Sequence, residues 1–583
     1  MNSKDFQALL RRRFHLPKER PIKRAMASFT LAERAVFSFF TIVFILSGGI
    51  LAWKVSQAFL VEVPTRGGSL IEGIVGNPRF INPVLALSEA DKNLTSLIYS
   101  GLVKVTPEGD VENDLADSLT ISDDKLVYTV SINSSAKFQD NTSVTADDVL
   151  FTIQKVVDPL IKSPRRGNWE GISVEKIDAQ TVQFTLKKPY APFIYNLALG
   201  ILPKHIWKNV TDDEFSFSQF NTLPIGTGPY QVESVERNSG GIPDYYKLTP
   251  FEKTLGSAPY IRDLIFRFYS SESALIEAYN KGNIESLSGL SPELISELKL
   301  NKATIVHAPL PRIFAVFFNQ SQSKVLLDKS VRTALDLATP KDKIVEEVLG
   351  GYGTAIHGPF PAGLYSWAEE RTSSTTQEVK LEQAQKVLES GGWKAGSDGL
   401  LEKKSGKDTM ILSFSISTGD APELKKVAEE LKLSWEKLGA KVEVLVFETG
   451  ELNQSVIRPR HFDALLFGEV VGREADLYPF WHSSQRNDPG LNIALYANSK
   501  ADKLLEEARS ADRAKAEVSY KAFEAELEKD LPAIFLYSPN FLYVVPEKLQ
   551  AVRLQSLSVA QDRFLSVRSW YVETDKVWKI FLD

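Results

Sequence analysis

The chain has 583 residues, a formal net charge of −6 and no cysteine, which excludes disulfides, thiolate metal sites, a cysteine nucleophile and a lipid-bearing cysteine. Residues 1–34 hold nine Lys or Arg against three acids, leaving 59 bases and 71 acids beyond them, a net of −12. A body so acidic has no electrostatic footprint for nucleic acid, while 33 Phe, 18 Tyr and 9 Trp supply apolar bulk for more than one core.

After the basic tail 1–34 come nineteen residues without a charge, 35–53. At helical rise they span roughly 28 Å, close to the hydrocarbon thickness of a bilayer at about 30 Å. Positive charge on the N-terminal side predicts that the tail stays in the cytoplasm and that everything past Lys54 lies outside. Residues 35–55 therefore read as a membrane anchor, with the small-x-small site Ser56-Gln57-Ala58 leaving a cleaved signal open. Residues 56–68 read as a polar, glycine-bearing linker.

Strand-like runs then recur at 69–75, 125–132, 181–186, 230–235, 264–269, 313–319, 410–417, 441–447, 464–467 and 533–537. Between the second and third, Asp140-Asn141 form a turn and Thr145 reads as an N-cap with Asp148 reaching back to it. The helix it opens should run to about Val157, where Asp158-Pro159 stops it. Further helices are predicted at 331–338, 341–349, 381–390 and 422–438, the last two closed by Gly391-Gly392 and Gly439. Gly226 and Gly228 beside Pro229 suggest a stiff crossover with a hinge next to it. Strands interleaved with helices predict an α/β protein with mixed sheets.

Several segments share wording as well as pattern. In order they are Phe80-Ile81-Asn82-Pro83, Ile98-Tyr99-Ser100-Gly101-Leu102, Leu115-Ala116-Asp117-Ser118, the run 138–151, Gly226-Thr227-Gly228-Pro229-Tyr230, Asn280 to Glu285, Val331-Arg332-Thr333-Ala334, Lys341-Asp342-Lys343-Ile344 and Leu388 to Trp393. Taken together they resemble the family 5 extracellular solute-binding proteins, the peptide, oligopeptide and nickel binders that feed ABC importers. Two departures stand out: Asn82 replaces the family's acid, and Leu119 stands where tryptophan is usual.

The resemblance implies a two-lobed periplasmic-binding-protein-like fold, type II, of the large cluster with an extra subdomain. Lobe 1 would be 69–312 with the subdomain at about 111–222, lobe 2 313–537, and 538–583 a C-terminal return to lobe 1. Crossings near 309–319 and 536–540 would form the hinge. It further implies a monomer on the outer side of the cytoplasmic membrane that catalyses nothing, holds no cofactor, captures a peptide by lobe closure and meets the permease subunits of an ABC importer.

In the peptide-binding relatives an aspartate in a loop after a phenylalanine-aspartate strand holds the peptide amine. Aligned through Asp476 to Trp481, that position falls on Arg473, a reversal of charge. Either Glu469, Glu474 or Asp476 takes the role, or the ligand presents a carboxylate. A solvated loop charge for Arg473, and a helix cap or turn for Asp476, are the plainer readings. Phe360, Tyr365, Trp367 and Trp481 are aromatic candidates for the cleft, with core packing as the alternative, and Trp169 is unplaced. Within the family a nickel- or metal-chelate binder is the other reading, although His205, His307, His357, His461 and His482 show no paired spacing. A tethered hydrolase would need a nucleophile motif, and no Gly-x-Ser-x-Gly or paired-histidine zinc motif is present. A receptor or exported chaperone stays open.

Overall fold

The computed structural model describes residues 28–365, 367, 375–406, 408–473, 475–555 and 557–581. Most of the basic tail, up to residue 27, lies outside them. Two compact units form, one of residues 1–65 and 574–583, the other of 66–573.

In the first unit a helix spans Leu31–Ala58, four residues earlier than the uncharged run because Thr30 caps it. The Thr30 N–H and hydroxyl donate to Glu33 Oε2 at 2.8 and 2.9 Å, and Glu33 N–H returns to Thr30 Oγ1. Phe40, Phe44 and Ile45 are each more than 60% exposed, so the apolar surface of this helix is not spent on a protein core. Residues 56–68, expected as a linker, instead end the helix at Ala58, form strand Leu60–Thr65, which pairs with Glu573–Trp578, and begin strand Gly67–Val75, because the alternating apolar residues of 60–65 find a partner strand.

The second unit is organised by one twelve-stranded mixed sheet. Strand Gly67–Val75 lies parallel to Ile261–Tyr269 on one side and to Ser286–Ser288 on the other. Antiparallel strands Pro243–Pro250 and Tyr230–Arg237 continue the sheet outward. Leu70, Leu264 and Phe266 pack with Leu94, Leu97 and Ile98 of helix Glu89–Ile98.

A separate antiparallel sheet of Ala116–Ile121, Val127–Ile132, Thr181–Thr185 and Ser173–Lys176 extends the same core. Helix Ala146–Val157 covers it, with the bounds its sequence predicts. Asp148 Oδ2 accepts from both Thr145 N–H (2.9 Å) and Thr145 hydroxyl (2.7 Å). Its other oxygen accepts from Lys204 N–H at 2.8 Å, so the cap also fastens the next segment.

The second lobe is built around Ser413–Gly419 and Lys441–Phe447, parallel strands joined by helix Pro422–Glu436. Ala464–Val470 and antiparallel Arg312–Phe318 complete it. Trp393, Trp435 and Leu335 fill one face of this sheet, and Phe317, Trp481 and Phe535 the other.

Three further details differ from expectation. The run 410–417 is two strands in two sheets, Asp408–Ile411 and Ser413–Gly419. Leu412 between them donates to Leu401 O at 2.7 Å and accepts from Lys441 N–H at 2.8 Å, which turns the chain out of one ladder into the other. The strand expected at 533–537 runs on through Ser538-Pro539-Asn540 to Pro546. Proline is tolerated there because the neighbouring ladder is itself interrupted at Leu310-Pro311, and Pro539 O still accepts from Leu310 N–H at 3.0 Å. Gly226 and Gly228 are packing residues rather than a hinge: a Cβ on either would sit 2.0 and 2.5 Å from the backbone of Ile98. Gln139 locks the same spot, accepting from Gly226 N–H at 2.9 Å and donating to Ile98 O and Tyr230 O.

Candidate ligand cleft

The long strand Ala533–Pro546 is the axis of the molecule. Its first residues pair antiparallel with Phe314 to Phe317 in the second lobe, and Asn540 to Pro546 pair with Pro309 back to Ala303 in the first. Gly353–Ala355 pairs with Tyr537 to Pro539 at the crossing. Beside these strands the lobes leave a groove between them, which holds two cavities.

The larger cavity is about 680 Å³, within the usual range for a small-ligand pocket. One wall comes from the four-stranded sheet and its loops, including Lys125, Tyr128 and Tyr195, and the other from Tyr365, Asp476, Arg509 and Tyr520 of the second lobe. Its four Lys or Arg equal its four Asp or Glu in number. The second cavity is about 440 Å³, and Arg473 and Tyr195 border both.

The lobes touch around the larger cavity. Ala191 N–H donates to Arg509 O and Lys125 Nζ to Ser510 O, both at 3.3 Å. The Arg509 guanidinium lies between the rings of Tyr190 and Tyr478, at 4.8 and 4.5 Å from their centroids, and Nη2 is 3.1 Å from Asp476 Oδ2. Tyr190 hydroxyl reaches the same oxygen at 3.4 Å. Burial raises the Asp476 pKa, with Arg509 acting against the rise. Tyr365 is pushed up to about 12 by desolvation.

Arg473 is neither solvated nor loose. Nη2 lies 2.8 Å from Asp562 Oδ2 and Nε donates to Ser558 Oγ at 3.0 Å, so a second-lobe loop is ion-paired to the C-terminal segment. Asp562 Oδ2 also accepts from Ser558 and Val559 N–H at 2.7 and 3.2 Å, and burial nevertheless pushes its pKa up. A second ion pair between the lobes, Lys426 Nζ to Glu293 Oε1 at 2.9 Å, lies away from the cavities.

Of the sequence candidates, Tyr365, Arg473 and Asp476 line a cavity, and Glu474 lies outside the described residues. Phe360 is buried edge-on to Tyr365, Trp367 and Tyr520, with ring centroids 5.2–5.5 Å away. Trp367 stacks on Tyr365, and Trp481 is wholly buried against Phe317 and Phe535. These three support the wall from behind. Glu469 is buried in strand Ala464–Val470; among the described residues neither of its oxygens finds a hydrogen-bond partner. Desolvation raises its pKa well above the usual glutamate range, and it lines neither cavity. Trp169 lines the smaller cavity and packs on Phe184 and Phe193. His482 stacks on Tyr478 at 4.1 Å and lines neither cavity.

Sequence reading missed Tyr190, Tyr195 and Arg509. Tyr190 follows Pro189 in a loop, and Tyr195 lies in the short helix Phe193–Asn196 that Pro192 opens. Arg509 sits at the end of helix Ser499–Ser510 and gave no local sign.

The family model described as "Bacterial extracellular solute-binding proteins, family 5 Middle" matches residues 110–490. The oligopeptide-binding protein AppA of Bacillus subtilis is 30% identical over 504 residues, covering 84% of this chain and 90% of that protein. Its solved structure in complex with a nonapeptide superposes with a TM-score of 0.65 at 28% identity, over 88% of this chain and 100% of the other. NikZ of Campylobacter jejuni, solved in complex with Ni(L-His), gives 0.66 at 27% identity, over 86% of this chain and 99% of the other.

Proposed function

The chain belongs to the family 5 bacterial extracellular solute-binding proteins, and on that premise we propose that it captures a peptide between its lobes and hands it unchanged to the permease of an ABC importer. The observation that carries this reading is the 680 Å³ cavity walled by both lobes, in a chain 30% identical to an oligopeptide-binding protein.

In this reading the rigid bodies are 69–312 together with 538–583, and 313–537. They rotate about 309–319 and 536–540, where the Leu310-Pro311 interruption lies opposite Ser538-Pro539. Ligand contacts come from Tyr365, Arg473 and Asp476 with Tyr195 and Arg509. Helix Leu31–Ala58, about 42 Å long at helical rise, stays uncleaved and anchors the protein as a single-pass membrane protein, with the binding lobes on the outer side of the cytoplasmic membrane. Binding is monomeric and needs no cofactor.

Native mass spectrometry of the full chain purified in detergent, followed by denaturation, tests this. Release of intact peptides is the expected result. A nickel chelate in their place would move the chain to the other branch of its family, and hydrolysed fragments of an added peptide would mark an enzyme.

A further inference from the structure

The two cavities of the cleft differ in charge. The larger is balanced, whereas the smaller is lined by Lys92, Lys104, Arg165, Arg473 and Arg568 against only Asp114 and Asp562, an excess of three positive charges. Most of these groups are already engaged. Arg473 and Asp562 make the one ion pair between lining residues among the described residues. Arg568 donates to Ser257 O and Thr254 Oγ1, and Lys104 reaches Glu112 at 3.4 Å outside the lining.

Lys92 and Arg165 are different. They stand close enough to repel, and the Lys92 pKa is lowered by desolvation first and by Arg165 next, with Arg312 adding to the effect. Glu89 and Asp91, on the same helix, oppose it, but Asp91 is taken up by the N–H groups of Arg79, Phe80 and Ser88. The one acid acting on Arg165 is Asp562, which is bound to Arg473 and two backbone N–H groups. At Lys92 the repulsion from Arg165 outranks the attraction of Glu89, so the pair carries a desolvation cost that an entering anion offsets, and a guanidinium offers a carboxylate two parallel hydrogen bonds.

Resting on the peptide reading, we propose that the smaller cavity is a carboxylate subsite: the peptide body occupies the larger, neutral cavity and its carboxylate lies between Lys92 and Arg165. Tyr195 and Arg473, which border both cavities, mark the passage from one to the other. The ligand polarity is then set by an anion, in keeping with an arginine where relatives use an aspartate for the amine.

The test offers the full-length protein a tripeptide library made once with free carboxylates and once C-terminally amidated, and reads retained species by native mass spectrometry. Retention of free acids at least tenfold over amides, reduced to near parity in Arg165→Gln and in Lys92→Gln with unchanged melting temperature, supports the subsite. Retention of amidated members only where they carry Asp or Glu supports it with a side-chain carboxylate as occupant. Equal retention of both libraries by the native chain overturns the subsite alone. Retention of neither overturns the peptide reading and the subsite with it.

Discussion

Asp562 and Arg563 are neighbours in the chain whose ion pairs point in opposite directions. Arg563 turns inward: Nε and Nη2 donate to Glu72 Oε1 at 3.0 and 2.5 Å, and Nη1 to Asn93 Oδ1 and Ala560 O. Tyr543 hydroxyl closes the set at 2.9 Å from Glu72 Oε2, and both charged side chains are wholly buried. Asp562 turns outward to Arg473, across the cleft, and stays partly in contact with solvent. In the proposed reading the inner pair joins segments of one rigid body, so its strength goes into the fold, and the outer pair joins bodies that separate when the cleft opens, so its strength goes into the closed arrangement.

Glu72→Ala strands a buried guanidinium and is expected to cost about 3–5 kcal/mol in urea unfolding; a loss below about 1 kcal/mol would make the two pairs equivalent.

Among the described residues Glu469 is a buried carboxyl without a cation. Its folded pKa is raised, so above the ordinary glutamate range the unfolded chain holds fewer protons than the native one, and stability falls as pH rises. Glu469→Gln should therefore stabilise neutral solutions by about 1.4 kcal/mol per pH unit above that range, until the native carboxyl ionises. The gain should vanish below it. A gain independent of pH in thermal melts would show that the residue is not held neutral.

Arg473→Gln is expected to lower stability by only about 1–2 kcal/mol, because Asp562 keeps its two backbone donors. The same change should enlarge the radius of gyration in small-angle scattering; an unchanged radius would mean that the outer pair does not favour closure. Lys426→Ala, with both partners of its bridge partly exposed, should shift stability by about 0.5 kcal/mol and only at low salt.

How much of this was legible depends on range. Helix Ala146–Val157 was readable because its cap, its apolar face and its stop are all local. The interleaving of strands with helices exposed the α/β class, and family wording the charge reversal at Arg473. What Arg473 binds was invisible, since Asp562 is 89 residues away and belongs to the opposite wall. Gly226 and Gly228 were misread because flexibility and close approach leave the same letter, and only the position of Ile98 separates them. Phe360 and Trp481 carry aromatic bulk that suits either a wall or its backing, and burial decides for the backing.

The strand Ala533–Pro546 carries one further consequence. The two crossings between the lobes lie side by side, Leu310-Pro311 opposite Ser538-Pro539, so in the proposed reading relative motion is taken up as torsion at that pair rather than as sliding of one half along the other. Such a neck allows few paths between its end positions. A transporter facing this protein would meet a small set of outlines, and could tell a loaded carrier from an empty one by silhouette, without inspecting the cargo.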